Sequence, residues 1–167
     1  MNKKYSPLII TLFAVVVIDQ ITKFYIAGSF ELYQSVEIIN GFFNITYIRN
    51  SGVAFGMFSG LKGPMIKIFF IVISLIAAVT IVILYRGTDD KMLLTRIAFS
   101  LILSGAVGNL IDRVASGEVV DFLDFHWHEY HWPAFNVADS CITVGVGLLM
   151  ITMVKEGHQS TRAPEHQ

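Results

Sequence analysis

Four stretches of this chain, residues 8–27, 64–85, 93–111 and 137–154, are long and apolar enough to cross a membrane, which takes about 20 residues of helix. In hydrocarbon a backbone must satisfy its own N–H and C=O groups, so these runs are expected to be four transmembrane helices. The last two are short, which implies little tilt or some thinning of the bilayer. Composition agrees, since 54% of the 167 residues are apolar and 15% are charged, whereas a soluble domain carries about 25% charged residues. A net charge of −1, with no basic run, offers nothing to recruit nucleic acid. Cys141 is the single cysteine, which excludes an internal disulfide and a cysteine-based metal site; it reads as a small apolar helix residue.

Lys3 and Lys4 before an apolar run, with Ala27-Gly28-Ser29 behind it, have the outline of a secretory leader. Residues 8–27 are too long for a leader core, however, and they carry Asp19 and Lys23, so this segment is read as the first span. Orientation follows from the basic residues. Seven of the twelve, Lys3, Lys4, Arg86, Lys91, Arg96, Lys155 and Arg162, fall in residues 1–7, 86–96 and 155–167. Only Arg49, Lys62 and Arg113 lie in the longer loops 28–63 and 112–136. Both termini should therefore be cytoplasmic and both long loops external.

In the first loop, residues 36–39 and 42–48 are β-prone runs joined by Asn40-Gly41, a two-residue hairpin signal that predicts a small sheet. Residues 53–61 form a short, strongly apolar element suited to the membrane interface, either as a lid or as an anchor. Trp127, Tyr130 and Trp132 fit an aromatic belt at headgroup depth. Residues 157–167 read as a loose polar tail, and the whole chain, 1–167, as a single integral membrane domain.

With this topology the polar residues that lipid should exclude collect at one face. Asp19, Gln20 and Lys23 lie in the outer half of the first span, Asn109, Asp112 and Arg113 end the third, and Asn136 and Asp139 begin the fourth. Asn50 and Asp121 stand in the external loops. Ionisable groups at membrane depth are functional candidates by default. Each also has a plainer explanation. Asp19 and Lys23, at i and i+4, can neutralise each other for insertion. Arg113 can snorkel while pairing with Asp112, and Asn136 with Asp139 can form a capping box. Gly105 and Gly108 leave the third helix flat enough for close packing.

Two carboxyls held close together share one proton, and such a pair hydrolyses a peptide without metal, thiol or serine. Asp139, at the positive end of a helix dipole, is expected to be the more readily ionised member. Asp121 sits in Val119-Val120-Asp121-Phe122, whose apolar neighbours favour its protonated form. Metal binding by His126, His128 and His131 beside Asp124 and Glu129 is the sharpest competing chemistry, but their spacing is not the i, i+4 pair of a zinc protease. No Gly-x-Ser-x-Gly is present. Neither metal nor cofactor is expected. A solute carrier and a passive scaffold are the rival functions; against the carrier, the cytoplasmic halves of the spans carry no matching polar residues.

Asp19-Gln20-Ile21-Thr22-Lys23, Asn50-Ser51-Gly52-Val53-Ala54-Phe55, Gly108-Asn109-Leu110-Ile111-Asp112-Arg113, Val120-Asp121-Phe122 and Phe135-Asn136-Val137-Ala138-Asp139 together resemble, in order and spacing, the motif set of bacterial lipoprotein signal peptidases (signal peptidase II). The resemblance covers residues 5–155. It implies a membrane all-α fold of four transmembrane helices with a small extracytoplasmic β-sheet and an interfacial helix, in the bacterial inner membrane. It implies an aspartic endopeptidase that cuts diacylglyceryl-modified prolipoproteins just before the lipid-bearing cysteine, and that is inhibited by globomycin. Asp121 and Asp139 would be catalytic. Asp19, Lys23, Asn50, Gly52, Asn109, Asp112, Arg113, Asn136 and Ala138 would bind substrate or support the site, with membrane lipids around them.

Overall fold

The computed structural model describes residues 3–52 and 64–160. After a short turn of helix at Lys3–Tyr5 come α1 (Ser6–Ser29), β1 (Ser35–Ile39), β2 (Phe43–Asn50), α2 (Pro64–Gly87), α3 (Leu93–Ala115), β3 (Val119–Trp127), β4 (Tyr130–His131) and α4 (Val137–Ser160). All four spans are present, each running past the apolar stretch that announces it. At 1.5 Å per residue the 23 residues of α3 reach roughly 35 Å, so neither it nor α4 is short for a bilayer. The expected thinning is not needed. α3 lengthens through Asn109, Asp112 and Arg113, because these polar side chains point into the protein while the backbone ladder continues. Likewise α4 runs on to Ser160 through part of the expected tail; residues 161–167 and the interfacial element at 53–61 lie outside the described residues.

The alternation of direction brings the end of α1, the start of α2, the end of α3 and the start of α4 to one end of the bundle, beside the sheet. α3 is the central helix and packs against each of the other three. Just over half of its spanning window (56%) is buried inside the protein, against 6% for α2, the most apolar helix, which therefore faces lipid. Close approach of α3 and α4 depends on glycine. A Cβ on Gly105 would collide with the carbonyl oxygen of Ala138, and one on Gly145 would come within 2.8 Å of the carbonyl oxygen of Ala98.

The sheet has four antiparallel strands in the order β1-β2-β3-β4. The expected hairpin is there, but its turn takes in Phe42 as well: Ile39 pairs with Phe43, Phe42 N–H donates to Ile39 O, and Gly41 adopts a φ of +67°. The Glu37 carboxylate accepts from Gly41 N–H at 2.9 Å and fixes this wider turn. β3 and β4 have no clear sequence signature. Residues 119–124 are buried along most of their length rather than on alternate positions, so the period-2 pattern of a half-exposed strand is missing. Gly117, at φ +88°, ends α3 and turns the chain back into β3. Val120 and Phe122 then pack with Ile26 and Tyr47 to seat the sheet on the end of α1. Alternation along the strand sends Asp121, between them, to the other side.

Gly105→Ala should cost about 1–3 kcal/mol of stability through overpacking against the α4 backbone. Gly147→Ala, whose Cβ would meet nothing within 4 Å, should not destabilise. Thermal midpoints in detergent check the contrast; equal losses would count against the α3–α4 contact.

Candidate active site

Polar groups at the sheet end form one continuous network, and its anchor is Lys23. The ammonium, 3% exposed, lies 2.8 Å from Asp19 Oδ2, 2.8 Å from Asp112 Oδ2 and 2.9 Å from Asn109 Oδ1. A lysine has three protons to donate, and all three are used. Asp19 and Lys23 thus do neutralise each other, but Asp112, on another helix, shares the cation. Further donors reach the two carboxylates: Ala138 N–H to Asp19 Oδ1 at 2.9 Å, Val120 N–H to Asp112 Oδ2 at 3.4 Å, and the Gln20 amide to both acids at 3.1 and 3.0 Å. Ala138 contributes backbone rather than side chain, which is how an alanine enters a polar site. Gln20 belongs to the site although helical spacing gives no reason to select it. It lies about 100° around the helix from Asp19, and only α3 coming alongside makes its amide useful.

Asn109 passes the network to α4. Its Oδ1 accepts from Lys23 and, at 3.2 Å, from Asn136 Nδ2, while its own Nδ2 donates to Asp139 Oδ1 at 2.7 Å. Asn136 is fully buried and sits where β3 meets the start of α4. Its Nδ2 donates to Asp121 Oδ1 at 2.7 Å and its Oδ1 accepts from Asp139 N–H at 2.9 Å. Its backbone N–H donates back to Asp139 Oδ2 at 3.3 Å, which completes the capping box expected from the sequence. One residue therefore touches both aspartates. The side-chain amides of Asn109 and Asn136 each donate to one of these carboxylates, Asp139 and Asp121 respectively.

Asp121 is 2% exposed. Asn50 Nδ2, at the end of β2, donates to its second oxygen at 2.9 Å, and Asn50 Oδ1 in turn accepts from Gly52 N–H at 2.7 Å. Gly52 has a φ of +82°, and a Cβ there would strike the Phe70 ring at 2.5 Å, so the position suits only glycine. Burial pushes Asp121 up to about 6, with the Asp139 charge adding to it and the hydrogen bonds from Asn50 and Asn136 and the charge of Lys23 opposing it. Asp121 and Asp139 line the same cavity of about 640 Å³, together with Asn50, Trp132, Phe135, Ser140 and Thr143. Buried, hydrogen-bonded carboxyls opening on one cavity can exchange protons with a molecule held there.

A family profile described as signal peptidase (SPase) II matches residues 11–155. The lipoprotein signal peptidase of Geobacter metallireducens is 49% identical over 146 residues, covering 87% of this chain and 89% of the relative. The chain belongs to the signal peptidase II family. The lipoprotein signal peptidase of Staphylococcus haemolyticus, at 41% identity over 160 residues, covers 95% of this chain and 98% of its own length. Two solved bacterial membrane enzymes share the fold. One is 37% identical with a TM-score of 0.80, covering 96% of this chain and 93% of the other, and the second is 40% identical with a TM-score of 0.81, covering 93% and 98%. A multi-pass membrane peptidase is what this chain is.

Within this signal peptidase II, two expectations need correction. Arg113 does not pair with Asp112, because Lys23 has taken that carboxylate; its guanidinium instead stands over the Phe70 ring at 5.6 Å and donates to Ser74 Oγ at 3.4 Å, both on α2. The far half of the bundle is also not free of polar residues. Thr95, Arg96, Ser100 and Ser104 are buried along α3, and Arg96 belongs to the first turn of that helix rather than to a loop. Ser100 and Ser104 donate to carbonyl oxygens one turn back, at 2.7 and 2.6 Å, so their hydroxyls are satisfied within the helix itself. The histidines stay at the rim. His131 Nδ1 lies 2.9 Å from Asp124 Oδ1, and the His126 and His131 rings stack at 4.7 Å.

Removing the cation leaves two buried carboxylates facing each other. Lys23→Met should destabilise the protein by about 3–5 kcal/mol, and adding Asp112→Asn should restore part of the loss. Unfolding in detergent measures both, and an unaltered midpoint in the single variant would contradict the role given to Lys23.

Proposed function

We propose that Asp121 and Asp139 are the catalytic pair of this signal peptidase II, acting on a water held between them. The observation that carries the reading is that both carboxyls open on one cavity and both accept from Asn136, Asp121 from its side-chain amide and Asp139 from its backbone N–H. Asp139 takes the ionised role. It accepts from Asn109 and from Asn136 N–H in the first turn of α4, where the helix dipole favours negative charge. Asp121, raised by burial, keeps its proton. Asp139 removes a proton from the water as it attacks the scissile carbonyl, and Asp121 gives its proton to the carbonyl oxygen. Collapse of the tetrahedral intermediate returns that proton to Asp121, while Asp139 passes its own to the leaving amine.

The substrate class is the prolipoprotein, cut just before a diacylglyceryl-modified cysteine. Acyl chains hold that cysteine at the interface, and the signal peptide is itself a membrane helix, so depth and in-plane diffusion supply much of the positioning. The cavity supports this because it opens beside α4 at the sheet end of the bundle, bordered by Trp132 and Val144, both exposed. Arg113 is the basic group left for the substrate backbone or ester oxygens. The basic residues at the other end support cytoplasmic termini and an outward-facing site in the inner membrane. Globomycin would compete in the same cavity. Asn50 lines the substrate cavity beside Asp121; Asp19, Lys23, Gly52, Asn109, Asp112, Asn136 and Ala138 support the pair, and residues 1–167 act as one membrane domain.

Purified protein given a lipid-modified precursor should cleave it, leave the unmodified counterpart uncut, and keep its activity with a chelator present. Asp121→Asn and Asp139→Asn should each fold and lose at least about 10²–10⁴-fold in rate. Cleavage by either folded variant would refute the pair.

The Asn50 amide stabilises the Asp121 carboxylate, so Asn50→Ala should raise that group's pKa from about 6. A protonated Asp121 would then persist to higher pH. The alkaline limb of the kcat/KM profile should move upward, and a downward move would reverse the proton assignment.

A further inference from the structure

At the end of the bundle away from the aspartates, the entry into α3 and the far end of α4 border an open cavity of about 320 Å³, lined by Lys91, Met92, Leu93, Leu94, Thr95, Thr152 and Lys155. Lys155 lies 16 residues along α4 from Asp139, roughly 24 Å at helical rise. We propose that this cavity is a binding site for the phosphate headgroup of an anionic membrane phospholipid, with the acyl chains lying along the adjoining apolar surface.

Its lining has the chemistry of an anion site. Lys91 and Lys155 are exposed, and neither ammonium lies within ion-pair distance of a carboxylate among the described residues. Among the described residues, Asp90 lies 3.7 Å from Lys4 and 3.6 Å from Arg96, and Asp89 accepts from the Lys91 backbone N–H at 2.8 Å, so neither carboxylate pairs with the Lys91 or Lys155 ammonium. α3 starts here with no side-chain cap at Met92 and no acidic residue in its first turn, so its own first N–H groups receive no side-chain acceptor from the cap. A second, independent observation is Thr95. It is 7% exposed and borders the cavity, yet its hydroxyl has no hydrogen-bond partner among the described residues. Deeper in the helices Thr22, Thr80, Thr143 and Thr152 donate to a carbonyl of the preceding turn. Thr95, so near the start of α3, is left free to donate to a ligand.

A lipid accounts for the surroundings better than a free anion. Leu93 and Leu94 line the cavity as exposed apolar side chains, and Ile151 and Val154 are exposed on the same stretch of α4 as Thr152 and Lys155, an apolar surface for acyl chains. Basic pockets between membrane helices at headgroup depth recognise anionic lipids in this way. The lipid would bridge α3 and α4, the helices that supply Asn109 and Asp139.

The full chain in neutral detergent would be titrated with phosphatidylglycerol and with phosphatidylcholine of the same acyl chains. Retained lipid is read by native mass spectrometry, and thermal midpoints are followed in parallel. Each lysine near an anionic headgroup contributes about fivefold in binding, so a preference for phosphatidylglycerol of about tenfold or more is expected, shrinking as salt is raised. Lys91→Gln/Lys155→Gln should bring the two lipids to near equality, and Thr95→Val, which keeps shape and folding, should weaken phosphatidylglycerol alone. Equal retention by the unaltered protein, or a preference that survives the double substitution, would overturn the site. If inorganic phosphate by itself raises the midpoint through Lys91 and Lys155 while lipid adds nothing, the lipid assignment fails.

Discussion

A single ammonium group with all its protons spent inside a lipid-embedded bundle sets the terms for the rest of this protein. Lys23 lies between Asp19, Asp112 and Asn109, so α1 and α3 can meet at this depth only in the register that brings these oxygens to it. Water cannot compensate a misplaced partner there, and a buried charge without one is strongly destabilising. The ion cluster is therefore a registration device for two helices. Its surplus negative charge is met by amides from Gln20, Val120 and Ala138, which draws in the first strand residues after α3 and the first turn of α4.

From that anchor the order passes through asparagines. An asparagine side chain is both donor and acceptor without being charged, so a chain of them carries hydrogen bonding across buried space at little desolvation cost. Asn109 connects Lys23 to Asp139, and Asn136 connects Asn109 to Asp121. The two carboxyls at the end of this relay sit on different elements: Asp139 caps the start of α4, and Asp121 stands on β3 between apolar neighbours.

The glycines complete the same scheme by removing bulk. Gly105 lets the α4 backbone reach α3, Gly108 leaves space beside the Asp19 carboxylate, and Gly52 admits the Phe70 ring over the Asn50 turn. Phe70 also lies under Arg113, so α2, otherwise a lipid-facing helix, contacts both Gly52 and the end of α3.

The four spans, their alternating direction and the gathering of polar residues at one end were legible in the sequence, because lipid imposes a length and a polarity that a linear chain has to display. The capping box of Asn136 and Asp139 was legible for a similar reason: its partners are three residues apart. What the linear chain could not reveal was every relation depending on two distant segments meeting. That Lys23 serves Asp112 as well as Asp19, leaving Arg113 to Phe70, depends on how α1, α2 and α3 pack. Asp121 on a strand, with Val120 and Phe122 turned the opposite way, depends on β2 lying alongside a segment whose burial hides its alternation. Gln20 joins the site only because α3 passes next to it. Local periodicity and composition are written residue by residue, whereas the choice among several possible partners for a buried charge is made only when the helices come together.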